Sequence, residues 1–252
     1  MGAMRKPFQG VTNIIRFNWH FYAIALMMVI LLMLTATYLD SSLQPIIYTF
    51  CGLVSGSIVL SLLASLYVYD LSGLYRLNWI TPQNTESQIL NIHAGFDETS
   101  ALLKDKFRNS ALEVLDFYDP QKHTEVSIKR ARKAYPPFSK TKQVETSDLQ
   151  LQTCSADKIF VIFSAHEIRN IKERALFFQE LARVLKPQGQ IYITEHLRDL
   201  PNFVAYNIGF CHFYSRGSWL KVFRNANLNI RQEIKLTPFV STFILDKNGN
   251  TL

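Results

Sequence analysis

Three histidines stand where this chain can move protons. His166 and Glu167 follow an apolar run at residues 158–163, which ends in Phe163 and Ser164. Glu195 and His196 follow a second run at 190–194, and His212 lies in an aromatic segment at 200–215. Imidazole is the side chain whose unperturbed charge changes near neutral pH, so each is a candidate proton acceptor. Upstream, a dense polar group (His93, Asp97, Glu98, Thr99, Ser100) surrounds Gly95 after another apolar run. Asp119 and Asp148 stand after the next two runs.

The elements that must position these groups alternate. Residues 157–199 read as a strand at 158–163, a charged helix at 172–185, a Pro-Gln-Gly stop and a strand at 190–194. Parallel strands need a crossover helix of about this length, so the stretch is a βαβ unit. Before it come a strand at 88–95 with a helix at 101–107, and a strand at 112–117 with a helix at 124–134 that Pro136 and Pro137 end. A third strand is expected near 141–145. A helix from Ser218 to Ala226 and an antiparallel pair at 228–234 and 238–245 close the chain. The alternation predicts an α/β fold built on a doubly wound, mostly parallel sheet, with its ligand crevice beyond the carboxyl ends of the strands. The segment 200–214 is expected to roof that crevice.

The first 87 residues are of another kind. Residues 1–20 mix Arg5, Lys6 and Arg16 with apolar positions and Trp19, which predicts an interfacial amphipathic segment. Residues 21–39 and 45–69 carry no charge and are long enough for a transmembrane helical hairpin spanning 21–69. Gly52, Ser55, Gly56 and Ser57 are expected to let its second helix approach the first. Residues 70–87 form a juxtamembrane linker with Tyr75 and Trp79 at the interface, and 88–252 form the α/β domain. Basic residues flank the hairpin while Asp40 lies in its loop, which predicts an integral membrane protein with the N-terminus and the domain cytoplasmic. The net charge of +7 is dispersed, so anionic membrane lipid is the expected partner and nucleic acid is not. Cys51, Cys154 and Cys211 show no paired spacing, so a reducing compartment and no metal site are expected.

The order of elements resembles class I S-adenosylmethionine-dependent methyltransferases, particularly small-molecule enzymes of the quinone-methylating kind. The strand at 158–163, His166-Glu-Ile-Arg169, and Leu181-Ala-Arg-Val-Leu-Lys-Pro-Gln-Gly189 carry the likeness, the last being similar to the family's RVLKPGG turn. It covers about residues 88–245 and leaves the hairpin outside. The resemblance implies a Rossmann-like methyltransferase fold, S-adenosyl-L-methionine as cofactor, and a lipophilic acceptor such as a quinone or aromatic lipid. It implies cofactor contacts from Gly95, Asp97, Asp119 (ribose), Asp148 (adenine) and Ser164. In such chemistry His166, His196 or His212 removes the proton of an oxygen acceptor. The chain departs from the family at its first motif, where Asn91 replaces an acid and His93 and Asp97 replace two glycines. That departure motivates the alternative of a non-catalytic, membrane-tethered scaffold module. Nicotinamide binding is a weaker third reading, since no GxGxxG follows the first strand.

Overall fold

The computed structural model describes residues 5–83 and 85–248. Residues 1–4 of the expected interfacial segment, position 84 of the linker and residues 249–252 of the domain lie outside them. Seven strands form one sheet: β1 (Gln88–His93), β2 (Ala111–Asp116), β3 (Lys142–Gln143), β4 (Ala156–Ile162), β5 (Leu185–His196), β6 (Leu228–Thr237) and β7 (Val240–Lys247). Their order is β3-β2-β1-β4-β5-β7-β6, with the first five parallel and β7 antiparallel to both β5 and β6. The order reverses direction between β1 and β4, which in a doubly wound sheet opens a crevice at the strand ends. The expected third strand shrinks to the two residues of β3.

Helices cover both faces: α3 (Ser100–Lys106), α4 (Val126–Ala134), α5 (Ile171–Val184), α6 (Leu200–Tyr206) and α7 (Arg216–Asn225), in chain order after two long N-terminal helices. Their starts are written in local chemistry. Asn170 caps α5 by accepting from the Lys172 and Glu173 amides, Asp199 caps α6, and Ser215 caps α7. The expected Pro-Gln-Gly stop after α5 lies inside β5, which begins at Leu185, and it interrupts the pairing: Ala156 pairs with Leu185 and Lys158 with Gln190, so residues 186–189 bulge opposite Asp157. Gly189 is needed there, since a Cβ would lie 2.9 Å from the Asp157 carbonyl oxygen.

The N-terminal region differs most from expectation. Residues 9–20 do not form a separate interfacial piece but the first turns of one helix, α1 (Gln9–Ala36). The second helix, α2 (Gln44–Leu66), runs into a π-helical turn at Tyr67–Leu71. Both helices are long and apolar enough to cross a membrane by length and composition, and Phe21, Leu26, Met27, Leu31 and Leu34 of α1 are exposed. Gly52 and Gly56 do not serve close packing, for a Cβ on either meets nothing within 4 Å. The close approach is at Gly10 instead, where a Cβ would sit 2.3 Å from Tyr69 Cβ. There the Asp70 carboxylate accepts from the Gly10 and Val11 amides at 2.7 and 2.8 Å. An anion on the unpaired N–H groups and positive dipole end of a helix is stabilising.

The same contact yields a test. Asp70→Ala is expected to lower the stability of the detergent-solubilised chain by about 1–2 kcal/mol. In thermal unfolding Gly10→Ala is expected to do more damage than Gly52→Ala or Gly56→Ala, which put their Cβ into open space.

Candidate active site

The carboxyl ends of β1 and β4 open into a cavity of ≈ 920 Å³. Its floor is His93, Ala94, Phe96 and Phe163, and its roof is α1, through Asn13, Phe17 and Phe21. Ser61 and Ser65 of α2 and Tyr69 form one wall, while Glu125, Glu167 and His212 form the other. Glu98 ties roof to floor, accepting from Arg5 Nη1 at 2.8 Å and from the Tyr75 hydroxyl at 2.9 Å. Asn13 on α1 accepts from the Tyr135 hydroxyl at 2.9 Å, and Arg130 donates to the Phe17 carbonyl at 2.7 Å.

The polar group around Gly95 is a closed network. The buried Asn91 amide donates to Thr99 Oγ1 at 3.0 Å and Ser100 Oγ at 2.8 Å. Asp97 accepts from the Thr99 and Ser100 amides, both at 2.9 Å, so its carboxylate holds the start of α3 and does not line the cavity. Gly95 adopts φ +90°, which glycine tolerates and other residues resist. The space above it is filled by Arg132, whose Nη1 would lie 2.6 Å from a Cβ there. His93 Nδ1 accepts from the Gly95 amide at 3.1 Å, while its buried Nε2 has no hydrogen-bond partner among the described residues. Burial lowers the His93 pKa against the pull of Asp97 and Asp116.

Three other expected cofactor contacts lie elsewhere. Asp119 is in an exposed turn, accepting from the Gln121 amide at 2.8 Å, and Asp148 is in another, accepting from the Gln150 amide at 2.8 Å. Their carboxylates serve the local turns, as acids in loops often do. Ser164 is buried and donates to the Ile92 carbonyl at 3.0 Å, which pins the end of β4 to β1. The acid at the end of β2 is Asp116, three residues before the one singled out from sequence. Its carboxylate accepts from Arg132 Nη1 at 2.6 Å and from the Tyr118 amide at 2.9 Å.

The histidines divide. His196 is buried at 4 % exposure and both ring nitrogens are used. Nδ1 faces two acceptors, Asn202 Oδ1 at 3.1 Å and the Phe239 carbonyl at 3.0 Å, so it carries the proton. Nε2 then accepts from the Tyr69 hydroxyl at 2.8 Å. Phe163 and Phe213 stack on its two faces. Burial drives its pKa down to about 4, so it is a neutral brace and not a proton acceptor for the cavity. His166 donates from Nδ1 to Glu195 at 2.6 Å, and its Nε2 is 3.2 Å from Glu167. Burial opposes its charge, but the two carboxylates outweigh burial and hold its pKa up at about 10. Glu167 is likewise buried yet held well below the usual carboxylate range by His166 and His212. Of the three histidines only His212 borders the cavity, in a 3-10 segment at Asn207–His212 within the expected cover.

Sequence reasoning missed Asp116, Arg132 and Tyr69, and it saw Glu98 only as one of the polar group around Gly95. Asp116 had a signal, being the last residue of an apolar strand. Glu98 and Tyr69 depend on where α1 docks, which no local pattern records.

Comparison with known proteins follows the fold. A family model described as a methyltransferase domain matches residues 102–193. The match spans β2 to β5 and leaves out the altered motif. A S-adenosylmethionine-dependent methyltransferase from Aquifex aeolicus is similar in structure, with a TM-score of 0.50 at 14% identity over 76% of this chain and 96% of that one. Another from Methanosarcina mazei gives 0.48 at 16% identity over 66% and 94%. Among curated proteins none matches the chain.

The brace at His196 has a pH signature. Tyr69, Tyr206, Asp199 and the more distant His166 are the titratable groups around it. An unfolded imidazole takes a proton below about 6.5, and the folded one refuses it until about 4. Its contribution is therefore full above pH 6.5 and is lost as pH falls toward 4, by roughly 3 kcal/mol in total. Thermal unfolding across pH 4–7 is expected to show this acid slope and to show it flattened in His196→Gln. The seven-stranded sheet, with its crevice at the β1 and β4 ends, is the S-adenosylmethionine-dependent methyltransferase fold.

Proposed function

We infer that this chain is a membrane-anchored, S-adenosylmethionine-dependent methyltransferase acting on a lipophilic small molecule of quinone-like or aromatic-lipid type. The observation that carries it is the single cavity joining the β1 and β4 ends to the apolar helices. Cofactor chemistry belongs at the strand ends. An acceptor arriving from a bilayer meets Phe17, Phe21 and Tyr22 on its way there.

The residues fit the cofactor on the cavity side. His93 turns an orphaned Nε2–H to the floor, a donor suited to a carboxylate or hydroxyl oxygen. The volume is within the roughly 300–1,000 Å³ range of ligand sites. On the ribose side Asp116 offers two acceptor oxygens, but Arg132 holds them and covers Gly95, so binding requires Arg132 to release. When bound, S-adenosylmethionine supplies a methyl group to an in-line nucleophile. The chain's own residues align the acceptor against it, and such alignment provides most of the acceleration in a displacement. Phe163, Phe213 and the α1 aromatics exclude water, while Glu167 and His212 present the polar wall next to the acceptor.

The helices support the anchoring. Residues 23–36 of α1 and the first turns of α2 are largely exposed, and Leu200, Phe203, Val204 and Ile208 of the cover are exposed as well. By the charge pattern the domain faces the cytoplasm. One observation favours the alternative of a non-catalytic tethered module: the Arg132–Asp116 pair shuts the ribose side.

One titration decides between them. Calorimetry of the detergent-solubilised chain with S-adenosylhomocysteine is expected to show binding that Asp116→Asn weakens at least about 10-fold, the size of one charged hydrogen bond. Arg132→Ala is expected to tighten it, and Asp119→Ala to leave it unchanged. No heat from the wild type or from Arg132→Ala leaves the scaffold reading standing.

A further inference from the structure

The wall made by the turn after β4 and the segment Asn207–His212 holds an arrangement that methyl transfer alone does not call for. His166 Nε2 lies 3.2 Å from a Glu167 oxygen, and His212 Nε2 lies 3.8 Å from the same oxygen. The ligating atoms of the three side chains all fall within 4.8 Å of one another. Each imidazole also has a carboxylate at its other nitrogen: Glu195 at 2.6 Å from His166 Nδ1, and Glu125 at 3.3 Å from His212 Nδ1. We propose that His166, Glu167 and His212 bind a divalent transition-metal ion of the zinc class, with Glu195 and Glu125 orienting the two histidines.

The geometry is close to what such an ion needs. Ligands about 2.0–2.2 Å from a tetrahedral ion lie roughly 3.3 Å from each other. The His166–Glu167 pair is already at that spacing, and His212 closes the rest by a small turn on a half-exposed segment. Two histidines and a glutamate are a set used at catalytic zinc, where the fourth position stays open. A carboxylate on the far nitrogen of each ligating histidine fixes its tautomer and direction. Here that support is unusually firm on one side, because Glu195 is fully buried and also accepts from the His166 amide at 3.2 Å. The cysteines gave no hint of this site, which is built from two turns 46 positions apart, counted from His166 to His212.

One group competes. The Arg169 guanidinium rests against the His212 ring, donates to the His212 carbonyl at 2.7 Å and lies 3.6 Å from Glu125. It supplies a cation to an acidic corner, and a divalent ion takes over that role. The same guanidinium also lies 5.8 Å from the centre of the Tyr214 ring. Glu167, His212 and Glu125 all border the cavity, so the open metal position faces it. An ion there binds a hydroxyl oxygen and lowers its pKa, which narrows the acceptor to a phenol or other hydroxyl compound. That last step rests on the methyltransferase reading, whereas the metal site does not.

The full chain, solubilised in detergent and stripped with chelator, is titrated with zinc(II) by calorimetry and with cobalt(II) by visible absorption. The expected result is one ion per chain, with ligand-field bands of low coordination number and no thiolate charge-transfer band. His212→Ala and Glu167→Gln are expected to lose at least about 100-fold in affinity, and Glu195→Gln about 10–100-fold. Cys211→Ser is the control and is expected to change nothing, since the neighbouring thiol is the rival ligand. Far-UV circular dichroism and the S-adenosylhomocysteine titration of the metal-free variants separate lost ligands from lost fold. Equal affinity in wild type, His212→Ala and Glu167→Gln overturns the site, as does its loss in Cys211→Ser. A chain that binds cobalt at these residues but no S-adenosylhomocysteine keeps the metal site and loses the methyltransferase reading.

Discussion

The Asp70 carboxylate, seated on the first amides of α1, determines where a 28-residue helix lies over the sheet. Asp70 is itself placed by the π-helical turn at Tyr67–Leu71, which adds a residue to the helical repeat and turns Tyr69 and Asp70 inward. Tyr69 then reaches His196 at the end of β5, and the chain between them is locked to the domain. Gly10 has no side chain because nothing larger fits against Tyr69. With α1 fixed in this way, Asn13 and Phe17 become the roof of the cavity, and Glu98 is close enough to receive Arg5 and Tyr75. The apolar hairpin is therefore part of the site's architecture and not a tether attached to a finished domain.

Polar residues, and not a run of glycines, hold the end of β1. Glycines let backbone approach a ligand closely; here Asn91, Asp97, Thr99 and Ser100 bond one another and hold the loop in one shape. The network is saturated, so these groups have little left for a ligand. What remains available is His93 Nε2, the neighbouring backbone and, once Arg132 lets go, Asp116. Arg132 is a third exposed and stacks 4.2 Å over the Tyr118 ring, so its bridge to the buried Asp116 is the part of the site most easily opened.

The parallel sheet and its βαβ centre were legible because strands and crossover helices leave periodic signals and capped ends. The strand runs before His93, Asp116 and Ser164 are continuous, whereas the helix at Leu200–Tyr206 and the start of α7 at Arg216, set by the Asp199 and Ser215 caps, were not foreseen. The site was legible only in its side of the sheet. His196 looked like a free base at a strand end, but its fate was decided by Asn202, Phe239 and Tyr69, three groups far apart in sequence. Asp119 looked like the ribose acid because it stands just past the second strand, while that strand ends at Asp116. A helical hairpin was visible from its uncharged length, yet the docking of its first turns was not, since one carboxylate 60 residues away fixes it.

Two clusters of charge occupy opposite ends of the sheet, one buried and one partly open to solvent, and they differ in a way that separates support from chemistry. Lys158 and Glu86 pair at 2.7 Å, each 4 % exposed, with Lys158 also donating to the Thr81 carbonyl at 3.1 Å. One cation meets one anion, both are desolvated together, and neither lines the cavity; such a pair fixes the linker against β4. At the other end Glu195, Glu167 and Glu125 face two imidazoles and a guanidinium around a corner that opens to the cavity. Bringing three carboxylates together costs free energy that a simple structural tie does not require. These carboxylates meet through two histidines at one point on the cavity wall, an arrangement that a bound cation stabilises.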